Sequence, residues 1–352
     1  METFSSVDIG KCGLYKYCES PDFEILLFAY AFDDDEVSII DMACGEELTP
    51  ELIDAIESDG VIKAAWNANF ERTCLSKYLG HQLSPDSWRC SMVHAASLSL
   101  PLKLKDAALA LKTGEQKDRA GEALIRKFSI PKVNAKTGEV KRTYPSDDPE
   151  GWWQFKDYCK QDVRTERDIR KKLERFPMPD AEWDYYHMDQ RINDRGVLID
   201  TELVKQAIIC DLTLSDEMTK KAYELTGLEN PNSVSQLKAW LEERGIEVKT
   251  LGKKDVAAMI KELDKNSTDQ EALDMLKLRL QMAKSSVKKY QAAERAVCKD
   301  GRVRGLFQFN GANRTGRWAG RLLQLQNLPQ NHIDTLEAAR ELVKMGCFEL
   351  LE

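Results

Sequence analysis

The sequence predicts an α/β domain over residues 1–176 followed by a mostly α-helical region over residues 177–352, on three observations. Short apolar runs alternate with helix-period segments up to about residue 175. The stretch Pro177-Met178-Pro179 then interrupts the chain. Beyond it come long segments rich in Lys, Glu, Leu and Ala, with few strand-like runs.

Taken in order, METFSS reads as the end of a strand. EILLFAYAF and EVSIIDM read as strands joined by an acidic turn, Asp33 to Asp35. Thr49 and Pro50 open a helix that closes near Gly60, a capping residue followed by proline at the first position. VIKAAW reads as a short buried strand. Helices are predicted from Ala68 to Leu79, Arg89 to Ser99, Leu104 to Leu111 and Trp152 to Phe176. In the second region they are predicted at 181–194, 201–226, 233–244, 254–263 and 270–298, before a strand-like VRGLFQF.

Composition narrows the function classes. The nine cysteines include no C-x-x-C and the four histidines no H-E-x-x-H, which argues against structural zinc and a disulfide framework; any metal would be held by oxygen. No apolar run reaches membrane length and no leader pattern opens the chain, so the expectation is a cytoplasmic protein without membrane contact. The net charge of −8 is unevenly distributed: Lys277 to Arg321 holds 12 Lys or Arg against two acids, so that window carries +10 and the remainder −18. A plain solvated helix face could account for its first part. The run continues into NGANRTGRWAGR, however, where irregular backbone and several arginines suit phosphate contacts.

The first region's chemistry lies in its acids. VIKAAW runs into Asn67-Ala68-Asn69-Phe70-Glu71, where Asn67 is predicted to cap the helix and Glu71 to sit in its first turn, at the C-terminal edge of a strand. A glutamate there also simply complements the helix dipole. Tyr158 and Asp162, four apart, share a helix face. Tyr30/Asp34 and Tyr185/Asp189 have the same spacing, so the pair means little without its context.

The order of an acid at the first strand, N-x-x-F-E at Asn67–Glu71, and Y-x-x-x-D at Tyr158–Asp162 resembles the DEDD 3′–5′ exonucleases, above all the proofreading domain of phage-type family A DNA polymerases. ETFSSVDIGKCGLYKYCESPDFEILLFAYAFDD is similar to the opening of those enzymes. RINDRGVLID, NPNSVSQLKAWL and Thr315-Gly316-Arg317 with Leu325-Gln326-Asn327-Leu328-Pro329 look like their thumb and the start of the palm.

The resemblance implies an RNase H-like exonuclease domain with a mixed sheet over 1–176, and a helical thumb with the beginning of the palm over 177–352. It implies a two-metal Mg²⁺ site using Glu2, Glu71 and Asp162, with Tyr158 orienting the attacking water. Glu71 stands where the family more often has Asp. The DNA-binding set is Asn67, Lys284, Lys288, Lys289, Arg314, Thr315, Arg317, Arg321, Gln326 and Asn327, with Arg317 matching the arginine that reaches the primer terminus. Partners are a primer-template duplex and a single-stranded 3′ end; dNTP belongs to a complete polymerase.

In the family's D-x-E motif Glu2 is the E, so the Asp and the strand that carries it are expected to be missing and the two-metal site incomplete. The polymerase motifs D-Y-S-x-I-E and H-D-E are absent from the sequence. The expectation is therefore no polymerisation and little exonuclease activity. The competing readings are a stand-alone DEDD nuclease, a non-catalytic DNA-binding subunit whose palm and fingers are a separate chain, and a fragment.

Overall fold

The computed structural model describes residues 1–113, 121–133, 137–266, 269–282, 287–312, 315–328 and 331–351. The chain divides into two compact units, one of residues 1–199 with 295–329 and the other of 200–294 with 330–352. This division differs from a break at residue 176: the helix after the proline stretch and the Gly/Arg-rich hairpin both fall in the first unit.

The first unit opens with β1 (Glu2–Phe4), two short helices, α1 (Ile9–Cys12) and α2 (Leu14–Cys18), then β2 (Glu24–Tyr30) and β3 (Ser38–Ile40). These strands form an antiparallel sheet in the order β1-β2-β3, with Thr3 opposite Ile25 and Phe28 opposite Ile40. The first strand is thus present as a three-residue stub rather than missing. Ile25 to Ala29 are all buried, and they divide between two cores: Ile25 and Phe28 pack into one, Leu26, Leu27 and Ala29 into the other. Burial on both faces is why the run reads as continuously apolar.

Next come α3 (Pro50–Glu57), β4 (Lys63–Ala65), α4 (Ala68–Leu79), β5 (Trp88–Cys90), α5 (Ser91–Ser97) and α6 (Leu104–Leu111). Thr49 caps α3 by accepting from the Leu52 amide. The segment β4-α4-β5 is a parallel crossover unit, with Ala65 opposite Cys90. Arg89 and Cys90, predicted to be helical, are strand because this pairing overrides local propensity. Asn67 does not cap with its side chain: it takes a left-handed conformation, φ 68°, at the turn from strand to helix. Among the described residues the parallel pair is not hydrogen-bonded to the antiparallel sheet, so the single mixed sheet is two sheets here.

Then follow α7 (Gly121–Phe128), a small ladder of β6 (Lys132–Val133) and β7 (Val140–Lys141), and the 25-residue α8 (Pro149–Leu173). Asp148 caps α8 by accepting from the Gly151 amide, and Pro149 takes its first position. Phe128 of α7 stacks on Phe155 of α8, which stacks in turn on Tyr158, and Trp152 meets Phe128 and Phe155 edge-on. After α9 (Asp180–Arg195) and β8 (Val197–Leu198) the chain enters the second unit.

The second unit contains α10 (Thr201–Thr226), α11 (Val234–Glu243), α12 (Lys253–Asn266) and α13 (Gln270–Met282), around a core of Leu237, Leu241, Met275 and Leu276. The helix predicted over 270–298 is two helices, α13 and α14 (Lys288–Ala296), on either side of residues outside the description. The chain returns to the first unit with β9 (Arg302–Val303), paired to β8, and the hairpin β10 (Phe307–Ala312) and β11 (Arg317–Gly320). The final helix, α15 (Leu336–Lys344), lies in the second unit.

Candidate functional site

Glu2 on β1, Glu71 in the first turn of α4, and Tyr158 and Asp162 on α8 all line one cavity of about 960 Å³ in the first unit. The crossover places Glu71 just beyond the C-terminal end of β4, where α/β folds gather their sites. Spacing of four residues brings Tyr158 and Asp162 to the same wall of the cavity.

Acidic and basic side chains both line the cavity, and the carboxylates of Asp162 and Glu166 act on Glu71. Burial first, and the charges of Glu166 and Asp162 after it, hold the Glu71 carboxyl up at about 7, with a neighbouring ammonium pulling the other way. Glu71 Oε2 is sealed from solvent with no hydrogen-bond partner. Burial, then the charges of Asp162 and Glu2, push the Tyr158 phenol far above its ordinary value.

Sequence reasoning missed two residues here. Glu166 follows Asp162 by one helical turn, is buried, lines the cavity and accepts a hydrogen bond from the Ser91 hydroxyl. Its signal was available, since 158, 162 and 166 repeat at intervals of four. Gly121 begins α7 against the face of the Tyr158 ring, and a Cβ at Gly121 would overlap the ring carbons. That close approach fixes where the phenol sits, and nothing in the local sequence announces it.

The carboxylates offer the hard oxygen donors that Mg²⁺ prefers, and the buried Glu71 Oε2 has no hydrogen bond to compete with such a role. The placement does not complete that fit. Among the described residues no three His, Cys, Asp or Glu side chains gather closely enough to hold a metal ion.

Behind Glu71 the next side chain, Arg72, turns into the protein and is almost completely buried. Its guanidinium donates to both oxygens of Asp194 on α9, to the Leu83 carbonyl and to Gln190. Tyr15 donates to the same Asp194 carboxylate at 2.6 Å. This network clamps the helix that presents Glu71.

The Gly/Arg-rich segment forms the β10–β11 hairpin. Arg317 starts β11 opposite Ala312 and is exposed, and Thr315 lies in the turn, its amide donating to the Ala312 carbonyl. Asp189 on α9, buried to 1% exposure, accepts the Trp318 indole N–H at 2.8 Å, while Asn193 exchanges two hydrogen bonds of 2.9 Å with the Phe307 backbone. The Arg321 guanidinium donates to the Gln308 side chain. Gln326 and Asn327 sit in a 3₁₀ turn, Gln326 packed over Gly320 and Asn327 donating to Gln324. Lys288 and Lys289 open α14 in the second unit. Asn67 is exposed at the start of α4, apart from this hairpin in the chain. Lys284 and Arg314 lie outside the described residues.

Among the described residues no helix is long and apolar enough to cross a membrane. No protein-family model matches the chain. Over 353 residues the chain is 54% identical to a DNA polymerase of Bacillus phage SP02, a match covering 100% of this chain and 54% of the relative. The chain therefore spans about half the length of the curated relative it matches. Among solved structures it is similar to the POL domain of Pol1 from M. smegmatis in complex with DNA primer-template and dNTP, with 18% identity and a TM-score of 0.54, covering 91% of this chain and 52% of that one. This second likeness is one of fold.

Proposed function

We propose, from a likeness to a phage DNA polymerase that runs the whole length of the chain, that this protein is the exonuclease-type and primer-template-holding portion of a phage-type family A DNA polymerase. Residues 1–176 supply an RNase H-like 3′–5′ exonuclease domain, and residues 177–352 the thumb and the beginning of the palm. The observation that carries this reading is the convergence of Glu2, Glu71, Tyr158 and Asp162, from three separate elements, on one cavity.

In this reading the cavity receives the 3′-terminal phosphodiester of a single strand, Tyr158 positions the attacking water, and the carboxylates face the phosphate. Because the side chains as placed form no metal cage, the chain's own contribution is to bind and orient DNA, with hydrolysis near background. Arg317 and Arg321 on and beside the hairpin, with Lys288 and Lys289, supply the cationic contacts to primer-template duplex.

Two measurements on the full chain test this. Duplex affinity should fall steeply between about 50 and 200 mM salt, as phosphate neutralisation requires; a flat dependence removes the DNA-holding role. Digestion of a single-stranded oligonucleotide in Mg²⁺ should stay near background and be unchanged by Asp162→Ala. Robust digestion that Asp162→Ala abolishes would show a working metal site and overturn the low-activity reading.

A further inference from the structure

On the surface of the first unit, four arginines from two elements meet in an open cleft of about 640 Å³. Arg191 and Arg195 lie one turn apart on α9, and Arg302 and Arg304 lie two apart at β9, so each pair shares a face. Four like charges converging on one surface of a chain with net charge −8 are unfavourable unless something anionic fills the space between them.

The acids in and around the cleft do not account for all four. Asp86 pairs with Arg191, and Asp300 pairs with Arg304 through both terminal nitrogens. Asp194 also lines the cleft, but its carboxylate is taken up by buried Arg72 and by Tyr15. Among the described residues no carboxylate pairs with Arg195 or with the Arg302 side chain. Two of the guanidiniums are nevertheless held in place by main-chain carbonyls: Arg302 donates to the Gly196 carbonyl at 3.3 Å, and Arg304 Nε to the Asp194 carbonyl at 2.7 Å. Held guanidiniums suit phosphate, which they meet in a planar, two-pronged geometry.

The rest of the lining says which phosphate. Gln82, Leu83, Ser84 and Pro85 also line it, and among the described residues no aromatic side chain lines the cleft to stack a base. The cleft is open along its length rather than closed around a small molecule. We propose that it binds the phosphodiester backbone of DNA without reading its sequence, as a phosphate-contacting surface separate from the Arg317 hairpin. This inference rests on the DNA-binding reading above and deepens it.

The test compares the full chain with an Arg195→Ala/Arg302→Ala double variant, and with the matching double lysine variant, by fluorescence anisotropy on a mixed-sequence duplex over a range of salt. Losing two phosphate contacts should flatten the slope of log affinity against log salt by about 1.8, since each contributes about 0.9. The lysine variant should keep most of the slope, because the charge remains. Affinity should not depend on duplex sequence in any of the three proteins. A double alanine variant with the wild-type slope overturns the proposal, and so does a loss confined to particular sequences. Inorganic pyrophosphate at low millimolar concentration should displace DNA only weakly; tight pyrophosphate binding that the alanines abolish, with duplex binding intact, would assign the cleft to a small phosphate ligand instead. If the wild-type chain binds no duplex at all, the DNA-binding reading fails and this proposal falls with it. If the wild type binds duplex in a salt-dependent way that Arg317→Ala weakens but the double alanine variant does not, only the cleft fails.

Discussion

The indole nitrogen of Trp318 and the carboxylate of Asp189 lie 2.8 Å apart, joining a helix to a hairpin 129 residues further along the chain. Asp189 also accepts from the side-chain amides of Gln190 and Asn193, so its buried oxygens are satisfied mainly by neutral donors. Asp189→Ala leaves the indole and both amides without their acceptor. It should cost about 1–3 kcal/mol, the range for buried polar groups that lose a partner. Trp318→Phe frees only one donor and should cost less. Urea denaturation of both variants checks the order; equal losses would show that the carboxylate matters only for packing.

Removing one side of the buried Arg72–Asp194 pair leaves a charge in a place that water does not reach. Asp194→Asn should therefore destabilise the first unit by about 3–5 kcal/mol, more than a typical surface pair is worth. The expected observation is a lower thermal midpoint, largely independent of salt. A loss below about 1 kcal/mol would mean that the Leu83 carbonyl and the Gln190 and Asn69 side chains hold the guanidinium without the aspartate.

Glu71 gives a pH signature. Burial raises its folded pKa to about 7 from 4.5, so the folded chain keeps a proton that the unfolded chain releases. The stability tied to that proton is full below about pH 4.5 and is lost as pH rises through 7. Glu71→Gln has nearly the same shape and no charge. Its stability relative to the native chain should therefore grow from pH 5 to pH 8, by up to about 3 kcal/mol. Paired urea titrations at the two pH values measure this; a native chain that gains on the variant toward pH 8 contradicts the assignment.

Much of the fold was legible where chemistry is local. The helices at Ala68–Leu79, Leu104–Leu111 and Thr201–Thr226 end where they were predicted to, and Thr49-Pro50 gave the start of α3. What was not legible depends on partners far along the chain. Arg89 and Cys90 become strand because Ala64 and Ala65 lie beside them. The short helices between β1 and β2 carry no strong period, and they were not anticipated. The spacing of Tyr185 and Asp189 resembled a chance pair, and the carboxylate in fact holds Trp318 rather than the tyrosine. Nothing local marks Arg72 for burial, since its partner Asp194 lies 122 residues away. The acids of the cavity could be named from their order in the sequence, but their failure to gather three ligands is a matter of distance, which spacing along a chain does not encode.

The first unit is assembled from residues 1–199 and 295–329, with residues 200–294 emerging between them. A ribosome adds about 5–20 residues per second, so Asp189 and Asn193 leave the exit tunnel on the order of 5–20 s before Trp318 and Phe307 can meet them. During that interval a carboxylate and an amide destined for burial remain hydrated, and the face of α9 that later carries the hairpin is open to any passing strand. That face of α9 is covered only once the hairpin has been made.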